Sequence, residues 1–255
     1  HSPEEEGVQD GGGEGVMGAG AEGKGDAGRR GERLLRLMME EEQGQGDTRP
    51  HPHRWARDVV ALVLEERQQQ LGEEHPDTLS CRSDWASYCA LLGEYGVAVH
   101  HQQETLRVQQ RVLGPTHPDT LRSLASVAVY WAKLGEYSRA LPLAQQVVEC
   151  RQARHPHHPD TLKAQTVVAS LLYALGEHSR ATQLEEQVWR VRQRVLGEEH
   201  PDTLRSMGHV ATLLGERGEL RQALQLEEEV WRVRQRVLGE EHPDTLHSMR
   251  SAATR

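Results

Sequence analysis

The sequence predicts an all-α fold, an α-solenoid of tandem antiparallel helix hairpins, and three observations lead there. One pentapeptide, His-Pro-Asp-Thr-Leu, recurs at 75–79, 117–121, 158–162, 200–204 and 242–246, at intervals of 42, 41, 42 and 42 residues. A fixed period in this range marks an architecture of stacked repeats. Between the copies, apolar residues recur at three- and four-residue steps, which places them on one face of a helix. A glycine then interrupts each period at the same place, so that one period holds two helices.

From the N-terminus, residues 1–28 carry seven acids (Glu4, Glu5, Glu6, Asp10, Glu14, Glu22, Asp26) against Lys24 and almost nothing apolar. Ordering such a segment costs chain entropy that no burial offsets, so disorder is expected. Within it, Gly18–Gly25 nearly spells a phosphate-binding loop. Gly25 stands where Ser or Thr would hold magnesium, and no strand pattern precedes it, so it reads as low-complexity linker. Residues 29–70 read as a degenerate N-terminal repeat, with a helical stretch around Leu34–Met39, a Gly/Pro/His linker over 44–53 and a second helix from near Trp55. Four clear repeats follow at 71–112, 113–153, 154–195 and 196–237, and 238–255 is a truncated fifth.

Inside one repeat the first helix, A, carries Leu121, Leu124, Val127, Ala128, Trp131 and Leu134 on one face. Gly135 closes it, and Gly93, Gly176 and Gly218 hold the same place elsewhere, as a C-cap in left-handed conformation requires. The second helix, B, places Ala223, Leu226, Val230, Val233 and Val237 in register, matched by Ala181, Leu184, Val188, Val191 and Val195. The pentapeptide proline suits a first helical turn, and the following Asp suits the positive end of the helix dipole. Residues 184–204 and 226–246 differ only at Gln187 against Glu229, a recent duplication. A hairpin of two such helices cannot bury its apolar stripe alone and must stack on its neighbours.

Composition excludes several classes of function. The chain has 255 residues, 36% of them hydrophobic, and a mean hydropathy of -0.71 with no apolar run of membrane-spanning length. The net charge is -9, most of it from the first 28 residues, and no surplus of Lys and Arg marks a nucleic-acid surface. Cys81, Cys89 and Cys150 lack the spacing of a disulfide framework or a zinc site, so a reducing, cytoplasmic location is expected. The histidines at 51, 53, 155, 157 and 158 lie in Pro-rich turns without accompanying ligands, and neither a metal nor another cofactor is expected. No nucleophile, base and orienting residue stand together, so the chain reads as non-enzymatic.

The order of helix A, a Leu-Gly-Glu-Tyr turn, an Ala-bearing helix B and Leu-Gly-Glu-Glu-His-Pro-Asp-Thr-Leu resembles the 42-residue tetratricopeptide repeats of the kinesin light chain type, over about Arg54–Arg255. The small residue of helix A (Ala86, Ala128, Ala169, Ala211), the turn glycine and the Ala opening helix B (Ala98, Ala140, Ala181, Ala223) fall where that family has them. The resemblance implies a right-handed superhelix whose concave wall, lined by A helices, receives extended peptides or partner domains. One departure stands out. Where the family places Asn on helix A, this chain has Asp84, Ser126, Val167 and His209, so a conventional Asn clamp is absent.

The groove residues implied are Ser83, Asp84, Ser87, Arg122, Ser126, Lys163, Ser170, Arg205, His209 and Thr212. Arg122, Lys163 and Arg205 form a basic row, and the expected ligand is an acidic, extended protein segment. The row has a plainer explanation as intrahelical pairs with Asp119, Asp160 and Asp202, three residues earlier. A cation near a helix N-terminus nevertheless opposes the dipole. Arg151, Arg192 and Arg234 complement the dipole at the ends of B helices, and Trp189 and Trp231 are expected to pack between hairpins. The alternative to a binding scaffold is the sensor or oligomerisation arm of a larger multidomain signalling NTPase or enzyme, of which this chain is a fragment.

Overall fold

The computed structural model of the chain describes residues 52–253. The expected disorder of 1–28, the helix around Leu34–Met39 and the loop-like Gly18–Gly25 all lie outside the described residues. The described chain is ten helices in series with no strand: α1 (Pro52–Leu71), α2 (Pro76–Leu91), α3 (Tyr95–Val112), α4 (Pro118–Lys133), α5 (Tyr137–Arg154), α6 (Pro159–Ala174), α7 (His178–Leu196), α8 (Pro201–Glu216), α9 (Leu220–Leu238) and α10 (Pro243–Ala253). The even-numbered helices are the A type and the odd-numbered the B type. Substantial packing runs only between consecutive helices, which is the nearest-neighbour pattern of a solenoid.

Every A helix starts on the pentapeptide. His75, His117, His158 and His200 are N-caps in extended conformation, and each accepts the backbone N–H of the Asp two residues on at its Nδ1. His242 does the same for Asp244. The histidine therefore does what Ser or Asp does at other helix starts, satisfying one of the donors that has no partner in the first turn. Proline at the next position loses nothing there. The same logic explains why α1 begins at Pro52 and not near Trp55, cutting short the linker expected over 44–53.

The helix-to-helix turn inside each repeat is a Schellman motif. Gly135 has φ of 81°, its N–H bonds to Ala132, and the N–H of Glu136 reaches back to Trp131. Gly93, Gly176 and Gly218 repeat it with φ of 82°, 82° and 85°. A second set of left-handed glycines, at 72, 114, 197 and 239, closes four of the five B helices, α5 ending on His155 instead, and was not singled out by the sequence pattern.

Two alanine rows run through the buried interior. Ala98, Ala140, Ala181 and Ala223 are all 0% exposed, and Ala86, Ala128, Ala169 and Ala211 are buried as well. Leu121, Leu124 and Val127 fill the space between, while Leu134, at the helix C-cap, is exposed. The B stripe likewise frays at its end: Val230 is buried, but Val195 and Val237 are exposed. Trp189 packs into the clusters of Leu204, Met207 and Val210, the inter-hairpin role expected of it.

Candidate functional site

The ten residues expected to line a groove all lie on A helices and are exposed or half-buried. Their hydroxyls are turned inward more than outward. Ser87, Ser126, Ser170 and Thr212 each donate to the carbonyl four residues earlier, at 2.9, 3.2, 3.0 and 3.0 Å. Ser83 is half-buried and accepts from the Gln102 amide of α3 at 3.3 Å, while Asp84 is exposed.

The basic row is paired within its own helices. Arg122 lies 2.9 Å from Asp119, Arg205 3.0 Å from Asp202 and Lys163 4.0 Å from Asp160. All three cations remain largely open to solvent, and exposed pairs at this spacing contribute only about 0.2–0.5 kcal/mol. A guanidinium has five donors, so one carboxylate leaves others for a ligand.

Arg205, His209 and Thr212 come together around a cavity of about 170 Å³ between α8, α9 and α10. Its other walls include Glu227, Val230, Arg234, His247 and Ser248. An equivalent cavity of about 180 Å³ lies two repeats earlier, with Ala144, Val147, Arg151, Lys163 and Ala164 in those places. The earlier one is apolar with two cations on its wall; the later one is polar. At the joint between them His209 reaches α7, its Nδ1 3.4 Å from Glu185. Ser83, Asp84, Ser87, Arg122, Ser126 and Ser170 line neither cavity.

Two family models, both described as tetratricopeptide repeat, match the chain: one over residues 82–153, the other over 161–202 and again over 203–244. Together they take in more than half of the sequence. The chain belongs to the tetratricopeptide repeat family. Two solved structures of a Podosopora anserina kinesin light chain-like protein with nearly identical TPR-like repeats are similar to it at 25% identity. Each covers 82% of this chain and 96% of its own, with TM-scores of 0.67 and 0.66. BtubC (BKLC) from P. vanneervenii shares the fold at 18% identity, covering 86% of each chain with a TM-score of 0.65. RapI shares it at 11% identity, covering 89% of this chain and 82% of its own with a TM-score of 0.64. No curated protein matches the sequence. The repeats are of the kinesin light chain-like type, and tetratricopeptide repeats of this type are in general non-enzymatic scaffolds for protein–protein interaction.

Below the surface row, these tetratricopeptide repeats carry a buried polar floor, of which the sequence pattern singled out only Arg192 and Arg234, as partners of the helix dipole. Glu185 is 1% exposed and neither of its carboxylate oxygens accepts a hydrogen bond among the described residues. One turn pair further along α7, Arg192 is buried and donates to the Ser206 hydroxyl and the Asp202 carbonyl of α8. Burial pushes the Arg192 pKa down, with Glu185 and Asp202 opposing the shift. Glu227 and Arg234 hold the same places one repeat later. The signal was present, since Glu and Arg seven residues apart share a helix face, but that face also carries Val188, and nothing local says which side of a helix is covered.

Among the described residues no group of three or more His, Cys, Asp or Glu side chains is placed to hold a metal ion. No helix among them is long and apolar enough to cross a membrane.

Proposed function

We propose that the chain holds an acidic, extended segment of a partner protein along its A helices, with the repeats at 71–112, 113–153, 154–195 and 196–237 as the binding units. The observation that carries this reading is the alignment of Arg122, Lys163 and Arg205 on successive A helices, each exposed and each neutralised only by a weak intrahelical pair. Carboxylates spaced along an extended strand replace or supplement those pairs at little cost. The cavities beside Lys163 and beside Arg205 supply places for neighbouring side chains. The three cysteines are free thiols, which supports a reducing, cytoplasmic setting.

The test is fluorescence anisotropy with a labelled peptide of alternating Glu and Ala, titrated with the chain and with an Arg122→Glu, Lys163→Glu, Arg205→Glu variant of matching circular dichroism. The charge-reversed chain is expected to bind at least about tenfold more weakly, and binding to the original to weaken with salt. Equal affinity for both proteins, or for a peptide with Lys in place of Glu, would sink the reading. A pulldown with the same pair of proteins, read by mass spectrometry, then identifies partners that depend on the row.

A further inference from the structure

We propose that the joint between α1, α2 and α3 is a binding site for an organic cation, an ammonium or guanidinium group on an alkyl stem. At the joint of α7, α8 and α9, Trp189, Met207, Val210 and Leu226 close the space between hairpins. Stepping back by the repeat intervals, the same four places at the first joint hold Leu64, Arg82, Trp85 and His101. The large plug from the B helix is gone, two of the four side chains are polar, and a cavity of about 390 Å³ opens there. That size falls in the range of small-ligand pockets, about 300–1,000 Å³. None of the groove residues lines it, so it is a site apart from the proposed peptide groove.

The walls select a cation. Ala61, Leu64 and Trp85 offer an apolar lining, and Glu65, Glu73 and Glu104 bring three carboxylates against the single guanidinium of Arg82. Arg82 is buried and already bound to Glu73, which Gln68 also contacts; Glu104 shares its charge with exposed Arg107 at 2.9 Å; Glu65 stands exposed on α1. His101 meets the Trp85 ring edge-on at 4.3 Å, with His100 beside it at 5.1 Å. Burial holds His101 toward its neutral form, with His100 and Arg82 acting in the same direction and Glu104 against it. The surplus is therefore negative. An alkyl stem covers the apolar wall while its charged head meets the carboxylates, and an indole face is itself a favourable neighbour for a cation. An anion meets that surplus, and an uncharged apolar group would strip water from carboxylates without replacing it.

The same chemistry is carried by a Lys or Arg side chain of a partner protein and by a free polyamine. Using the ¹⁵N-labelled full chain, with the Trp85 indole resonance assigned through Trp85→Phe, one titrates n-butylammonium, spermidine, a capped Ala-Ala-Lys-Ala-Ala peptide and, as the neutral control, n-butanol. The cations are expected to shift the Trp85 resonance saturably and the alcohol to leave it in place. Binding should weaken by about tenfold in the Glu65→Gln, Glu104→Gln variant, whose substitutions lie on the cavity rim. It should vanish in Leu64→Trp, which restores the plug seen at Trp189. Tighter binding of the peptide than of spermidine assigns the site to a partner's side chain, and the reverse assigns it to a polyamine. No shift with any cation, an equal shift with butanol, or a shift untouched by both variants overturns the proposal.

Discussion

Arg192 of α7 donates to the hydroxyl of Ser206 in α8, fourteen residues on and in the next repeat. Arg234 repeats the contact with Ser248 at 2.6 Å, and Arg67, Arg151 and Arg234 each donate to the carbonyl of the first-turn Asp of the following A helix. Complementing the dipole at a B-helix end is thus only part of what this row does. It also fastens one repeat to the next. Since a solenoid's stability is the sum of its hairpins and their joints, a contact across a joint bears on cooperativity along the whole array.

Replacing Arg192 with Met should cost roughly 1–3 kcal/mol, because Ser206 and the Asp202 carbonyl lose a donor in a buried place. Urea unfolding followed by circular dichroism measures this. A lowered slope along with the lowered midpoint would mark loss of cooperativity between repeats 3 and 4, whereas an unchanged midpoint would mean that the contact is dispensable.

His200→Ala removes the acceptor for the Asp202 N–H and should destabilise the chain by about 1 kcal/mol, while His200→Asn, which supplies a side-chain oxygen at the same place, should recover most of it. Thermal melts of the two variants separate capping from any other role of the histidine. If Asn proves as damaging as Ala, capping is not what the residue contributes.

Two glycines should respond in opposite directions to alanine. Gly135 sits at φ of 81°, where an added Cβ is strained, and Gly135→Ala should cost about 1–2 kcal/mol. Gly208 lies inside α8 with nothing within 4 Å of where its Cβ would be, so Gly208→Ala should stabilise by about 0.8–1.0 kcal/mol. Melting temperatures that move the same way for both would contradict the assignment.

Burial pushes the Cys89 thiol up to about 11 from an ordinary value of 9.0, with Glu94 adding to the rise. The folded state therefore holds this proton more tightly than the unfolded chain does. Its contribution to stability is complete below about pH 9.0 and is lost as pH climbs toward about 11. Cys89→Ala should flatten the alkaline fall in stability over that window. In thiol-labelling kinetics at neutral pH, half-buried Cys150 should react before Cys89, and equal rates would show that the first repeat opens freely.

Much of this architecture could be read from particular residues. The pentapeptide placed five helix starts, Gly93, Gly135, Gly176 and Gly218 placed four turns, and both alanine rows are buried. Those are local signals, legible because a cap, a left-handed turn and a three-four periodicity each need only a few neighbouring residues. The capping role of the histidine was less visible, because His is not among the usual N-cap residues and its Nδ1 reveals itself only in the geometry. The basic row could be located but not weighed: the pairs Arg122–Asp119 and Arg205–Asp202 and the solvent exposure that keeps them weak both belong to the folded chain.

The sequence by itself determined the repeat, the two helices within it and which residues share each apolar stripe. Only the tertiary structure decided what lies between repeats. Glu185 and Arg192 ended up buried, Val195 and Val237 exposed, His209 across from Glu185, and the first joint open where the fourth is plugged by Trp189. The physical reason is one of range. Helix and turn are set by interactions among residues a few places apart, but whether a given face is covered depends on a helix from another repeat about 40 residues away, and on whether its side chains are large enough to fill the gap.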